Sequence, residues 1–448
     1  MKKKFTKGLV AGIVLLLIIA VSFSSYTYFK GKNKTSLDND MNKTGINSIS
    51  ENNNDNTITN NENNSTNNSE SNGLDSSKDN KENADNKNNI NGNKDDNDND
   101  SDKSNGNTLY SPKIKKPDAV KAVYLTGWSA GETEKLNSLI SLTKQTEVNS
   151  FVVDIKDDDG LVGYATDIPA VKEIKGFTWK YNVDKVITTL HDNDIYVIGR
   201  LVCFKDPVLS TQRVDLAVKN TSGGLWKDNF NKTWLDPYNK DSWTYLIDIA
   251  KEALSKGFDE IQFDYVRFPN DGNKKAMIFN ASDKKKYELI NEFLTYAKSE
   301  LPGGIISADV FGIICESPED TEDIGQYLEL IGKGIDCISP MVYPSHYAFG
   351  QMVNNIKFLK PDLEPYGVVY NSLLKTKNRL ALVDNYKAGV RPYLQGFTAS
   401  YLRSGNYQTY GAKQIKEQIK AVYDAGYTEW IIWDPNNKYP IEAFEMVD

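Results

Sequence analysis

Eight short runs rich in β-branched and aromatic residues recur from residue 122 to the C-terminus, and they hand over to amphipathic segments with a glycine near the end. The runs cover residues 122–128, 150–155, 195–204, 260–268, 304–312, 337–343, 391–397 and 428–434. A strand that alternates with a helix returns parallel to its neighbour, and eight such units predict a closed barrel of the α/β class, a (β/α)₈ (TIM) barrel. The region 115–448 is long enough to bury one large core. The punctuation is clearest where Asp241 is read as an N-cap. Trp243, Leu246, Ile247, Ala250 and Leu254 then share one helical face, and Gly257 stops the helix. Ile415, Ile419 and Val422 before Gly426 repeat the pattern. Residues 366–374 fit an extra strand, a helix start or a piece of the active-site rim equally well.

Strand side chains alternate between the helix layer and the barrel interior. In 260–268, Ile261, Phe263 and Tyr265 share one side and Gln262 and Asp264 the other. In 304–312, Ile306, Ala308 and Val310 oppose Ser307 and Asp309. The polar series is expected to face inward, with Asp264 and Asp309 near the C-terminal mouth, where barrels of this kind carry their sites. Two carboxylates from neighbouring strand ends suit glycoside hydrolysis, which needs one acid as proton donor and one as nucleophile or base. Like charges and partial burial would push their pKa values apart. Either Asp alone reads alternatively as a helix cap or the partner of a local arginine, a reading that weakens for two at matching positions on neighbouring strands.

Other strand ends add candidate substrate-binding groups: Asp154 and Lys156 on the second strand, Arg200 in the third, Arg267 after the fourth, Tyr343 and His346 after the sixth, Gln395 on the seventh, Trp433 and Asp434 on the eighth. A charge inside a barrel strand must be paired, so Arg200 is expected to neutralise one of the acids. Arg200 and Lys156 read as structural ion pairs or as substrate contacts. Trp433 and Tyr343 read as sugar-stacking platforms or as packing.

Several chemistries are excluded. The two histidines, His191 and His346, make a multi-histidine metal site unexpected, and no cofactor is called for. Residues 154–160 do not match a calcium loop: taking Gly160 as its sixth position would put Ile155 at the first ligand position. There is no His-Glu-x-x-His, no phosphate-cradling Gly-Lys-Ser/Thr loop and no Gly-x-Ser-x-Gly. A net charge of −8 argues against a nucleic-acid partner but not against a neutral glycan. Cys203, Cys315 and Cys337 are too few for a disulfide framework and read as small buried apolar residues, with one bridged pair as the other option.

The N-terminal part is of another kind. Lys2, Lys3, Lys4 and Lys7 precede an apolar run over residues 9–23, which Tyr26, Tyr28 and Phe29 extend. This predicts a signal anchor over 1–30, single-pass, with the barrel extracytoplasmic; a cleaved signal would make the chain secreted. Residues 31–114 are mostly Asn, Asp, Ser, Lys and Glu, and 31–109 hold no aromatic residue and no proline. Such a segment cannot bury enough apolar surface to offset its conformational entropy and is expected to be a disordered linker, with a span of roughly 50 Å as a coil.

The runs 152–160 (VVDIKDDDG), 204–207 (FKDP), 257–269 (GFDEIQFDYVRFP), 307–312 (SADVFG) and 338–347 (ISPMVYPSHY) are long and specific. Through them the chain, from about residue 121 to 439, resembles the bacterial family described as "putative glycosyl hydrolase domain". The resemblance implies a glycosidase-type TIM barrel. By likeness to α-acting barrels with an Asp on the fourth strand, it implies Asp264 as nucleophile and Asp309 as acid/base, where such enzymes more often have a Glu. Gly396 stands where relatives carry an Asp after the Gln. The function this implies is cleavage of a cell-surface or environmental polysaccharide. The other reading is a non-catalytic glycan-binding or envelope-assembly protein. Transglycosylation or deacetylation ranks third, because deacetylation usually needs a metal.

Overall fold

The computed structural model describes residues 109–445. The expected anchor at 1–30 and nearly all of the expected linker lie outside the described residues. Among the described residues no helix is long and apolar enough to cross a membrane.

All eight expected strands form: β1 (Lys121–Leu125), β2 (Ser150–Lys156), β3 (Tyr196–Val202), β4 (Glu260–Asp264), β5 (Ile305–Phe311), β6 (Cys337–Met341), β7 (in two pieces, Gly389–Val390 and Tyr393–Gln395) and β8 (Trp430–Trp433). Each pairs in parallel with the next, and β8 closes on β1 through Lys121↔Trp430 and Val123↔Ile432, so the sheet has no free edge. The break in β7 falls at Pro392, which has no N–H for the ladder.

Helices Thr133–Thr143, Val183–His191, Asp241–Ser255, Lys286–Glu300, Pro365–Leu380 and Ala412–Asp424 pack outside the barrel. After β5 the helix shrinks to one turn, Leu328–Ile331, and after β8 only a 3₁₀ turn, Ile441–Ala443, follows among the described residues. Residues 366–374 therefore belong to a helix, started by Pro365 in its first turn. The helix expected to be capped by Asp241 begins at Asp241 itself. Its N-cap is Lys240, and Asn239 Oδ1 accepts from the Asp241 N–H. Gly257 and Gly426 stop their helices with φ of +104° and +83°, a backbone that costs glycine nothing. The three cysteines are buried free thiols, with no pair bridged.

Strand parity divides the core in two. Val123, Phe151, Val153, Ile261, Phe263, Ile306 and Val310 form the layer under the helices. Ala122, Val152, Ile198 and Ile431 fill the inside, where polar groups are interleaved with them. At the base Glu260 receives Arg391 (Nη1–Oε1 2.8 Å), the Tyr196 hydroxyl (3.1 Å) and the Ser307 hydroxyl, and Arg391 Nε also reaches Glu429 (2.9 Å). One floor higher, Gln262 accepts from the Tyr393 hydroxyl (2.7 Å) and donates to Ser339 Oγ (3.2 Å). Below the barrel, Asp259 Oδ1 accepts from the N–H groups of Lys113 and Ile114 (2.8 and 3.0 Å), so the chain is tied down before β1 begins.

Removing one member of a buried ion pair strands the other. Arg391→Met is expected to cost about 3–5 kcal/mol in urea unfolding, whereas Glu260→Gln with Arg391→Met should recover most of that loss. A single and a double variant of equal stability would show that the base of the barrel does not depend on this pair.

Candidate active site

The upper floor of the interior is acidic. β2, β3 and β4 lie side by side, with Asp154 level with Arg200 and Val202 level with Asp264. Arg200 points inward from the central strand and reaches both sides. Its Nη1 donates to Asp154 Oδ1 (2.7 Å) and its Nε to Asp264 Oδ2 (2.8 Å). The Tyr124 hydroxyl of β1 donates to the other oxygen of Asp154 (2.7 Å), and its ring lies 5.8 Å from the guanidinium. Burial works against the Arg200 charge, but Asp264 and Asp154 more than compensate and hold its pKa well above the usual arginine range.

β4 ends four residues earlier than its apolar pattern suggested, because Tyr265 has φ +48°. That conformation is costly for an aromatic residue and is a recurrent feature of functional sites. It aims the Tyr265 N–H back at Asp264 Oδ1 (2.6 Å), while Cys203 N–H bonds the Asp264 carbonyl (2.8 Å). The Asp264 carboxylate is thus held from two sides by its own turn and by Arg200.

Asp309 stands differently. Continuing the register Gln262↔Ser307 by two residues brings Asp309 level with Asp264 on the adjacent strand. It is 2 % exposed, and its Oδ1 has no hydrogen-bond partner. Burial first, and the neighbouring Asp264 second, drive its pKa well above the carboxylate range. One acid is ion-paired and the other is buried, with its pKa raised.

Around this pair the predicted residues divide. Tyr343 and Trp433 meet across the mouth as stacked rings 6.0 Å apart, and Trp433 stacks again on Tyr124 at 6.1 Å. His346 lies edge-on to Tyr343 at 5.1 Å, and burial lowers its pKa to about 4, so it is neutral at physiological pH. Arg267 is enclosed by the rings of Phe311, Tyr265 and Trp234 at 4.5, 4.9 and 5.0 Å and donates to Asn270 and the Phe268 carbonyl. Three others are committed elsewhere. A register shift in β2 after Asp154 accompanies Lys156, which is sealed against Asp206 (3.0 Å) and the Val202 carbonyl (2.8 Å). Gln395 accepts from Ser345 N–H (3.0 Å) and donates to Asp362 (2.9 Å) and the Phe397 carbonyl (3.0 Å), a cross-brace with both amide ends in use. Asp434 closes its own turn by accepting from the N–H groups of Asn436 (3.1 Å) and Lys438 (2.9 Å). At Gly396 a Cβ would come within 2.9 Å of Ile432 Cγ2 and 3.0 Å of the Trp433 carbonyl, so the position is tight for any side chain. Among the described residues no group of three or more His, Cys, Asp or Glu is arranged to hold a metal ion.

Sequence reasoning missed Tyr124, Glu260, Arg391 and Tyr393. Glu260 carried a usable signal, since it shares the parity of Gln262 and Asp264. Tyr124 and Tyr393 carried none, because an aromatic residue in a strand reads as core.

A raised folded-state pKa means that Asp309 keeps a proton which the unfolded chain has released, so stability falls as pH rises from the ordinary carboxylate range towards that raised value. Asp309→Asn removes the penalty. At neutral pH it is expected to raise Tm by about 2 °C or more, with the gain vanishing below the pKa of an unfolded aspartate. A Tm unchanged or lowered at neutral pH would contradict the burial argument.

Comparison with solved structures places the PgaB (BpsB) glycoside hydrolase domain from Bordetella bronchiseptica among the similar folds. It is 12% identical, covers 74% of this chain and 100% of its own, and has a TM-score of 0.53. A hypothetical protein from Ruminiclostridium thermocellum ATCC 27405 is 64% identical over 42% of this chain and 97% of its own, with a TM-score of 0.41. The Bacillus cereus spore cortex-lytic enzyme SleL is 11% identical, covers 73% of each chain and has a TM-score of 0.42. Comparison with curated proteins finds no match. The family described as "Putative glycosyl hydrolase domain" matches residues 122–439, the whole barrel from β1 past β8, and the chain belongs to that family.

Proposed function

We propose that this barrel hydrolyses glycosidic bonds of a polysaccharide at its C-terminal mouth, with Asp309 as proton donor and Asp264 as the carboxylate that acts at the anomeric carbon. The observation that carries the reading is the chemical difference between two acids held at one level. Asp264 is ion-paired with Arg200, and Asp309 is buried with one oxygen unpartnered and its pKa raised. Glycoside cleavage requires that split. The proton of Asp309 passes to the glycosidic oxygen as the bond to the leaving sugar breaks, and the electron-poor anomeric carbon is met by Asp264. Water then completes hydrolysis and returns the proton. Trp433, half-buried and stacked with the buried Tyr343 and Tyr124, lies in the same mouth, and family membership together with the shared fold supports a carbohydrate substrate.

One observation favours a second reading, a barrel that binds glycan without cleaving it. Both Asp264 oxygens already accept hydrogen bonds, and Asp264 and Asp309 are only 6 % and 2 % exposed. We also propose, from the basic and apolar N-terminal sequence alone, that the chain is anchored to the cell membrane with the barrel outside.

Release of reducing ends from a panel of soluble polysaccharides tests the main reading. Asp264→Asn and Asp309→Asn are each expected to lower turnover by about 10²–10⁴-fold. Because the reactive form of Asp309 is protonated, kcat/KM should be lost as pH rises, with an alkaline limb well above the ordinary carboxylate range that disappears in Asp309→Asn. Wild type and Asp264→Asn of equal activity would rule the assignment out, and tight glycan binding with no turnover would establish the second reading.

A further inference from the structure

We propose that Trp128 and Trp179 form an outer binding surface for an extended, neutral pyranose polymer beside the barrel mouth. This deepens the proposed glycosidase reading and rests on it for the choice of ligand. The chain has seven tryptophans. Trp226, Trp234, Trp243 and Trp430 are buried and Trp433 is half-buried, whereas Trp128 and Trp179 are 59 % and 63 % exposed. A tryptophan ring carries on the order of 150–250 Å² of largely apolar surface, so two left in water forgo burial that the other tryptophans obtain.

Their placement is not scattered. Trp128 sits in the short helix Gly127–Gly131 directly after β1, and Trp179 ends the long connection after β2. Both connections leave the C-terminal ends of neighbouring strands. The two segments touch through glycine. A Cβ at Gly131 would come within 2.1 Å of the Lys180 carbonyl, and one at Gly127 would meet the Lys180 and Tyr181 side chains at 3.1 and 3.4 Å. Only glycine at 131 allows the two backbones so close, and Trp179 is next to Lys180 in sequence while Trp128 lies between Gly127 and Gly131.

The surface is fastened to the acidic floor rather than riding on a free loop. The Tyr181 hydroxyl donates to the Asp154 carbonyl (2.8 Å), and Lys180 N–H to the Gly163 carbonyl (2.9 Å). Thr126, ahead of Trp128, donates its N–H to Asn437 Oδ1 (3.1 Å), and Asn437 in turn holds the Tyr124 carbonyl (2.8 Å). The Lys180 ammonium is paired with Asp157, so this cation is already neutralised. Flat apolar faces suit the C–H faces of pyranose rings. A row of aromatic rings, Tyr343, Trp433 and Tyr124, leads from the acid pair towards β1, the strand that Trp128 follows. A ligand that uses both places must be longer than one that reaches the mouth alone.

The test uses the full chain carrying Trp128→Ala, Trp179→Ala or both, against soluble neutral xylan, mannan, dextran, glucomannan and glycol chitin and their di- to hexasaccharides. Turnover is read by reducing ends, retention by affinity electrophoresis, and mass by sedimentation. The expected result is about a tenfold loss in kcat/KM on polymer for the double variant, with disaccharide-sized substrates unaffected. Equal loss on short and long substrates, or no loss on either while wild type is active, overturns the outer surface and leaves the catalytic reading standing. Retention of a polymer that depends on both tryptophans without any turnover sustains the surface and overturns the catalytic reading. No turnover and no retention on any of these glycans overturns both. A wild-type dimer that the double variant abolishes identifies the patch as a contact between copies and overturns the proposal.

Discussion

The contact between Arg200 and its two carboxylates sets the character of the barrel mouth. Arg200 stands on the middle one of three adjacent strands and reaches Asp154 on one side and Asp264 on the other. A third inward acid, Asp309, occupies the next strand. Lys156, at the end of β2, is sealed against Asp206. Three carboxyl groups with one shared guanidinium in a dry interior cannot all carry charge at tolerable cost, because desolvation and mutual repulsion both rise as water is excluded. The least costly arrangement leaves the proton on the acid that Arg200 does not reach. A difference in proton affinity between two chemically identical side chains thus follows from where one guanidinium is anchored.

The floors below make that arrangement durable. Barrel interiors of this size are packed with side chains rather than open. Here the packing includes a fully buried Glu260–Arg391 pair and a Gln262–Tyr393–Ser339 chain of hydrogen bonds beneath the acids. These groups fix the register of β4 against β5, β6 and β7, and so the level at which Asp264 and Asp309 meet. The positive φ at Tyr265 belongs to the same scheme: the strained turn supplies a backbone donor to Asp264 that a continuing strand would have aimed at its neighbour. Stability at the base and strain at the top are paired, as is usual where a site needs side chains in orientations that they would not choose.

How far the site was legible in the sequence follows from the range of the interactions involved. Alternation along β4 and β5 placed Asp264 and Asp309 on the inner face, and the pairing demand of a buried charge assigned Arg200 to an acid. Lys156, Gln395 and Asp434 looked equivalent to Arg200, polar groups at strand ends, yet each is occupied by a partner invisible in local pattern. Asp206 lies on the connection after β3, Asp362 precedes the helix after β6, and the Asp434 turn depends on backbone N–H groups. Nothing along β1 reveals that the Tyr124 hydroxyl meets Asp154 on the next strand.

The sequence by itself determined eight parallel strands and which side chains point inward, because strand parity and strand–helix alternation are local properties of the chain. It also determined membership of the family through motifs that are contiguous in sequence. Only the tertiary structure decided which acid is ion-paired and which is buried with a raised pKa, where β4 ends, and that two tryptophans stand exposed on connections that touch. Those outcomes depend on register across strands and on contacts between residues tens of positions apart, which exist only once the barrel closes.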